Sequence, residues 1–159
     1  MPNSQHISLH TNSADDTATL AQQIGLALGP GDCLLLEGPI GAGKTHFARS
    51  LIQALLPVPE DVPSPTFTLV QIYEGRDCEI WHSDLYRLSH PDDVAELGLT
   101  QAFDEAICLV EWPDRLGTLA PDDALTLQFT TAADMPDRRQ ITLQWRHEKW
   151  APLIAELSK

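Results

Sequence analysis

A glycine-rich segment at residues 34–56, "LLLEGPIGAGKTHFARSLIQALL", has the residue types and spacing to bind a polyphosphate. Gly38, Gly43, Lys44 and Thr45 match every fixed position of the pattern G-x-x-x-x-G-K-[ST]. Glycines in such a loop let backbone N–H groups turn toward an anion, and the N-terminus of the following helix favours negative charge. A lysine at this spacing reaches the β- and γ-phosphates, and the adjacent hydroxyl reaches Mg²⁺. The segment therefore predicts a phosphate-binding loop (P-loop) that opens a helix.

The loop and the residues that follow it form the candidate nucleotide-binding set. Its members are Gly38, Ile40, Gly41, Ala42, Gly43, Lys44, Thr45 and His46. Recognition of guanine by an N-K-x-D motif is excluded, because neither Asn3 nor Asn12 precedes a lysine and the chain has no other asparagine. ATP or ADP with Mg²⁺ is therefore the expected ligand, and Lys44 is a candidate catalytic residue.

Magnesium in a P-loop site also needs a carboxylate at the end of a neighbouring buried strand, and two residues compete for this role. "AICLVE" delivers Glu111 after five apolar residues, whereas "EIWHSD" delivers Asp84 from a less apolar strand that is half of a hairpin. We favour Thr45 and Glu111 as the metal-binding pair, with Asp84 positioning water or binding the metal through water. Among the histidines, His82 is of interest because it precedes Asp84 by two residues.

A hydroxyl-rich segment, "SPTFTL" at residues 64–69, follows a proline-rich loop at 57–65. Such a segment after the first P-loop helix could sense the γ-phosphate and Mg²⁺ through Thr66 or Thr68. A simple Ser-Pro turn that starts a strand explains the same residues, and the sequence leaves both interpretations open.

The elements that must position these residues alternate between helix and strand. We predict strands at 5–10 and 33–36, a helix from cap Ser13 through Leu28, and a helix at 45–56. Later elements are a hairpin at 67–82, a helix after Ser89 with Pro91 in its first turn, a strand ending at Glu111, strands at 124–130 and 140–145, and a helix at 148–157.

This alternation predicts an α/β fold with a sheet covered on both faces. We expect a single P-loop NTPase-type domain over residues 1–159, with a mixed, mainly parallel sheet flanked by helices and an inserted antiparallel hairpin. No apolar run approaches the length of a membrane span, and "MPNSQHISLH" lacks the features of a secretory signal, so a cytoplasmic location is expected. Cys33, Cys78 and Cys108 lie in apolar runs and are predicted to be buried free thiols.

The net charge of −13, with ten lysines and arginines in total, argues against direct binding of nucleic acid. An acidic face presented to a basic protein partner and a merely solvated acidic surface are both compatible with this charge.

Four stretches taken together resemble the TsaE (YjeE) family of small bacterial ATPases, which act in making the tRNA modification threonylcarbamoyladenosine. They are "GPIGAGKTHF", "SPTFTLVQIY", "HSDLYRL" and "ICLVEWP", and the resemblance covers about residues 7–117. Within the first stretch, "THF" replaces the family's commoner "TTF", so His46 is a departure from the pattern.

The resemblance implies that Thr45 and Glu111 hold Mg²⁺, that Ser64–Thr68 is a nucleotide-responsive switch, and that Asp84 takes part in hydrolysis. It also implies that Thr17 or a neighbour contacts adenine. The implied partners are TsaB and TsaD, of which TsaD is the transferase, and tRNA would be met only through that complex. ATP hydrolysis would then reset the complex between turnovers.

Two other functions are compatible with the same P-loop. A small-molecule kinase would need an arginine-bearing lid, and the chain shows no such cluster near its middle, where Arg87 and Arg115 are isolated. A nucleotide-gated binding module would hydrolyse ATP only incidentally. Since none of Arg49, Arg87 and Arg115 is placed by the sequence to neutralise transition-state charge, we expect weak ATPase activity alone and more with the partner complex.

Overall fold

The computed structural model describes residues 4–90 and 92–159, and its strands join in one seven-stranded sheet. The strands are β1 (Gln5–Thr11), β2 (Cys33–Glu37), β3 (Val70–Glu74), β4 (Glu79–Asp84), β5 (Ile107–Glu111), β6 (Leu125–Ala132) and β7 (Met135–Trp145). The helices are α1 (Ala14–Gly25), α2 (Lys44–Leu55), α3 (Asp92–Glu96), α4 (Leu99–Glu105) and α5 (Ala151–Leu157). Short 3-10 segments lie at Pro113–Leu119 and Glu148–Trp150.

The sheet has the strand order β1-β7-β6-β2-β5-β4-β3. β2 pairs in parallel with β5 and β6, β4 pairs in parallel with β5, and the remaining pairs are antiparallel. Only β3 and β7 therefore run against the other described strands. The predicted α/β fold with a mixed, mainly parallel sheet is confirmed. The predicted hairpin β3–β4 is present, but β4 is also a full member of the parallel sheet through its pairing with β5.

Hydrophobic residues cover both faces of the central strands, as their unbroken apolar sequences require. In β2, Leu34 and Leu36 pack on the face that carries α1, α2 and α5. Cys33 and Leu35 pack on the opposite face with α3, α4 and the segment Pro113–Leu119. Successive strand residues point to opposite faces, so a run of apolar residues is buried on both.

A local signal accounts for the start of α1. The Ser13 hydroxyl accepts a hydrogen bond from the N–H of Asp16 at 3.1 Å and begins α1 as predicted. The prediction that this helix continues through Leu28 is wrong, because α1 ends at Gly25. The chain continues in tight turns, with the N–H of Leu28 donating to the Gly25 carbonyl, and Leu28 still packs against the core.

Pro91, predicted in the first turn of a helix, lies outside the described residues, and α3 begins directly after it. The three cysteines are free, with Cys33 and Cys108 buried as register partners on β2 and β5, but the prediction of burial is wrong for Cys78, which is half-buried. Within residues 4–90 and 92–159, no helix is long and apolar enough to cross a membrane.

Candidate nucleotide and magnesium site

The P-loop connects the carboxyl end of β2 to the first turn of α2. Gly38 has φ = 143°, and a Cβ there would lie 2.7 Å from the Phe129 carbonyl oxygen, so only glycine fits this close approach to β6. Gly43 caps α2 in the left-handed conformation at φ = 103°. The loop is thus fixed by backbone geometry that the glycine spacing anticipates.

Lys44 is buried at the base of the site. Its Nζ donates a hydrogen bond to the Gly38 carbonyl at 2.6 Å and lies 3.5 Å from the centre of the Trp112 ring. Burial lowers the pKa of Lys44, while the carboxylates of Glu111, Asp84 and Asp114 act in the opposite direction. The ammonium group is therefore held by the loop and the aromatic face, within the field of three carboxylates.

Thr45 and Glu111 meet directly, although they are 66 residues apart in sequence. The Thr45 hydroxyl donates to Glu111 Oε1 at 2.8 Å, and Glu111 Oε2 accepts from His82 Nε2 at 2.7 Å. Glu111 is almost fully buried at 2% exposure. Both carboxylate oxygens are thus engaged, one by the P-loop helix and one by β4.

Asp84 binds the hydroxyl-rich segment at residues 64–69. The Thr66 hydroxyl donates to Asp84 Oδ2 at 3.1 Å, and Thr66 also contacts the Ser64 hydroxyl at 2.7 Å. The backbone N–H of Tyr86 donates to Asp84 Oδ1 at 3.0 Å. Of the two threonines left open by the sequence, the structure brings Thr66 to the site, whereas Thr68 accepts a hydrogen bond from Gln71 outside it.

The oxygen groups of Thr45 and Glu111 fit Mg²⁺, which prefers hard oxygen donors and usually takes only one or two carboxylates from the protein. In the described part of the chain, no group of three or more His, Cys, Asp and Glu side chains is arranged to hold a metal by itself. A cation here would therefore have to share its ligands with bound phosphates, as magnesium does in P-loop proteins.

A cavity of about 600 Å³ opens over these groups. Most of the sequence-predicted residues line it, namely Thr17, Ile40, Gly41, Gly43, Lys44, Thr45, His46, Thr66, Asp84 and Glu111. Gly38 and Ala42 are not in its lining: Gly38 supplies the carbonyl that Lys44 binds, and Ala42 is fully buried beneath the loop.

The start of α1 forms one side of the cavity. Thr17 is 3% exposed, and its hydroxyl lies 2.7 Å from that of Thr11. His46 Nε2 lies 2.9 Å from the Ala14 carbonyl oxygen, which joins α2 to α1. This contact gives His46, the departure from the family pattern, a structural role beside the P-loop.

Six further residues that line the cavity were not among the predicted site residues: Ala14, Tyr86, Arg87, Trp112, Asp137 and Arg139. Arg139 lies on β7 and donates from Nε to the Ala42 carbonyl at 2.9 Å, across 97 residues of sequence. No local pattern marks it, because only the pairing of β7 with β6 carries it to the P-loop. Arg87 stacks 4.4 Å over the ring of Phe67, which is 79% exposed. Arg87 thus lines the cavity, whereas Arg49 binds the Val62 carbonyl outside it.

The family model of the threonylcarbamoyl adenosine biosynthesis protein TsaE matches residues 11–141. The chain belongs to the TsaE family. The match extends past the predicted limit at residue 117 into β7, so it includes the strand that bears Arg139.

Curated TsaE proteins, each named tRNA threonylcarbamoyladenosine biosynthesis protein TsaE, are similar over most of the chain. The Rickettsia bellii protein is 38% identical over 134 residues, covering 84% of this chain and 91% of that protein. The Bacillus subtilis protein is 32% identical over 156 residues, covering 98% and 96%. The chain spans only about three fifths of the Rickettsia conorii and Rickettsia felis TsaE proteins, at 61% and 60% of their lengths.

The fold comparison agrees with this family. The crystal structure of Bacillus subtilis YdiB superposes with a TM-score of 0.82 at 29% identity, over 99% of this chain and 97% of that one. The similarity therefore includes the C-terminal strands and helix, for which the sequence motifs had offered no match.

Proposed function

We propose that this protein is a Mg²⁺-dependent subunit that binds and hydrolyses ATP in support of TsaB and TsaD during tRNA threonylcarbamoyladenosine modification. The observation that carries the proposal is the 2.8 Å contact between the Thr45 hydroxyl and Glu111, beside Lys44 in one cavity. These are the hydroxyl, carboxylate and ammonium groups that P-loop ATP chemistry requires. Membership of the TsaE family is the basis for placing this chemistry in threonylcarbamoyladenosine biosynthesis.

Each group has a distinct role in the proposed reaction. Lys44 would bind the β- and γ-phosphates, and Thr45 and Glu111 would hold Mg²⁺. When bound, the ion neutralises charge on the phosphate oxygens. Asp84 and Thr66 lie where they could orient a water molecule and report on the γ-phosphate, and Thr17 lies where the α1 side of the cavity could contact adenine.

Activity of the isolated chain is proposed to be weak because both cavity arginines are engaged elsewhere. Arg139 donates to the backbone carbonyls of Ala42 and Arg138, and Arg87 rests on Phe67. P-loop hydrolysis without an arginine at the transition state is slower by about 10³–10⁵-fold. A partner that frees Arg87, or that supplies its own arginine, would remove this deficit.

The charge of the chain favours contact with tRNA only through the complex. A net charge of −13 repels a polyanion and suits docking on a basic protein surface, such as one that TsaD or TsaB would present. The proposed place of action is the cytoplasm, where tRNA is modified.

The test is ATP hydrolysis by the purified chain alone and with TsaB, TsaD and tRNA, with Lys44→Ala as the control. Low activity alone that rises with the complex and is lost in Lys44→Ala supports the proposal. Turnover that is indifferent to the complex contradicts the coupling, and turnover that survives Lys44→Ala contradicts the P-loop assignment. Transfer of the γ-phosphate to a metabolite instead of water would establish the kinase alternative.

A further inference from the structure

His82 is a fully buried polar residue on β4, and its ring contacts Glu111 rather than the cavity. Its strand position is fixed by parallel pairing, in which His82 lies opposite Leu109 and Asp84 lies opposite Glu111. Nε2 of the ring is 2.7 Å from Glu111 Oε2. The other ring nitrogen, Nδ1, is also buried, and no described residue forms a hydrogen bond with it.

The direction of this hydrogen bond follows from the neighbouring groups. An ionised carboxylate only accepts hydrogen bonds, so Glu111 receives one from Thr45 at Oε1 and one from His82 at Oε2. A proton on Nδ1 would be a buried donor without an acceptor among the described residues, so Nε2 carries the ring proton.

Stability alone does not explain a histidine at this position. A buried ring nitrogen that lacks a hydrogen bond is unfavourable, and an apolar side chain would fill a fully buried strand site without that cost. The partner of the satisfied nitrogen, Glu111, is the carboxylate that also contacts the P-loop threonine. The arrangement thus points to a role for His82 in orienting Glu111.

We propose that His82 is a positioning residue that occupies Glu111 Oε2, so that a cation can approach this carboxylate only at Oε1, beside the Thr45 hydroxyl. The inference rests on the proposed function, since it concerns the same magnesium site. Mg²⁺ demands near-ideal octahedral geometry, whereas Ca²⁺ readily takes both oxygens of a carboxylate. By withholding one oxygen, His82 favours Mg²⁺ over Ca²⁺.

The test compares His82→Leu with His82→Gln by calorimetric titration of ADP at several concentrations of Mg²⁺ or Ca²⁺, and in EDTA. Leucine removes the donor, whereas the glutamine amide nitrogen can replace Nε2. We expect His82→Leu to raise the Mg²⁺ concentration needed for half-maximal tightening of ADP binding by about 10–100-fold, with a smaller change for Ca²⁺. His82→Gln should stay close to wild type, and ADP affinity in EDTA should be the same in all three proteins.

Ser83→Ala is the matched control, because Ser83 is equally buried on the same strand and bonds to the Leu109 carbonyl instead of Glu111. Thermal unfolding of each variant separates a loss of fold from a loss of metal affinity, and His82→Gln keeps the test decisive if His82→Leu fails to fold. Unchanged Mg²⁺ dependence in a folded His82→Leu variant overturns the proposed role of His82 and leaves the proposed function intact. A wild-type protein whose ADP binding ignores Mg²⁺ overturns the proposed function as well.

Discussion

Asp84 and Glu111 are register partners at the carboxyl ends of two neighbouring parallel strands, yet their carboxylates bind different hydroxyl groups. Glu111 accepts from Thr45 on the P-loop helix, and Asp84 accepts from Thr66 on the hydroxyl-rich segment. Ligands bind outside the carboxyl ends of strands in open α/β sheets, and here this edge places two acids side by side with separate partners. This separation supports the proposed roles of Glu111 at the cation and of Asp84 at the segment that would sense the γ-phosphate.

The first prediction separates these two acids. Glu111→Gln should require at least about tenfold more Mg²⁺ for tight ADP binding, because it removes the charged partner of Thr45. Asp84→Asn should retain the Mg²⁺ dependence of binding and lower the turnover of ATP. Calorimetry and steady-state hydrolysis measure the two effects. If Asp84→Asn alone abolished the Mg²⁺ dependence, the assignment of the metal carboxylate would be reversed.

The second prediction concerns the contact between Thr66 and Asp84. Thr66→Val removes the donated hydrogen bond at nearly constant volume, whereas Thr66→Ser keeps the hydroxyl. We expect Thr66→Val to lower ATP turnover by up to about 100-fold, since misplacing a positioning group by an ångström has effects of that size. ADP affinity should change little in either variant. Equal turnover in Thr66→Val and Thr66→Ser would exclude a role for the hydroxyl.

The third prediction tests the backbone of the P-loop with two glycines. Gly38→Ala places a Cβ 2.7 Å from a backbone oxygen of β6 and should lower the free energy of unfolding by about 3 kcal/mol. At Gly41, φ is +84° but nothing lies within 4 Å of the added Cβ, so Gly41→Ala should cost only about 1 kcal/mol. Denaturant unfolding gives both values. A larger effect at Gly41 would mean that backbone strain outweighs the steric contact.

The fourth prediction concerns Arg139, which binds the Ala42 carbonyl and lines the cavity. Arg139→Ala should weaken ADP binding by about tenfold, because it removes the hydrogen bond from a charged donor that holds the Ala42 carbonyl of the P-loop in place. Arg138→Ala is the matched control, because the Arg138 guanidinium contacts Met135 and lies outside this cavity. Calorimetric titration of both variants decides the matter. Equal affinities would exclude Arg139 from the site.

The fifth prediction is a loss of stability at alkaline pH. Burial, with a contribution from Cys78, raises the pKa of Cys108 from an ordinary value of 9.0 to about 12. The folded protein therefore keeps a proton that the unfolded chain releases above pH 9. The stability that the protonated Cys108 thiol contributes is complete below pH 9 and disappears as the pH rises to about 12. The free energy of unfolding should fall less steeply over this range in Cys108→Ala than in wild type.

Half-buried Cys78 provides the comparison for that experiment. Cys78→Ala should alter the slope of unfolding free energy against pH less than Cys108→Ala does, because Cys78 is less completely removed from water. Identical slopes in wild type and Cys108→Ala would contradict the prediction.

The sequence was most informative where the chemistry is local. The P-loop lies within eight consecutive residues, so its strand, turn and helix could be predicted from spacing alone. The neighbouring acids Asp84 and Glu111 could be named as candidates, since each ends a recognisable strand. Which acid contacts Thr66 and which contacts Thr45 depends on which strands are adjacent, and no periodicity in the sequence encodes strand order.

Arg139 and His82 illustrate what sequence reasoning misses. Arg139 sits in an antiparallel hairpin and reaches the P-loop only because β6 pairs with β2. His82 was noted for its distance from Asp84, yet its partner is Glu111 on the next strand. In both cases the contact joins residues that are far apart in sequence, so the contacting partner can be identified only from the folded sheet.

The strand order also governs when a newly made chain can finish folding. β1 lies at the sheet edge and pairs with β7, with the Ser8 and Thr142 hydroxyls in contact across 134 residues. On the ribosome, β1 emerges before the five strands that separate it from β7 in sequence and pairs only after β7 has been made, a pairing of high contact order. The same strand, β7, brings Arg139 to the nucleotide cavity. Completion of the sheet and completion of the cavity are therefore one event, so a nascent chain has the complete cavity lining only when β7 is in place.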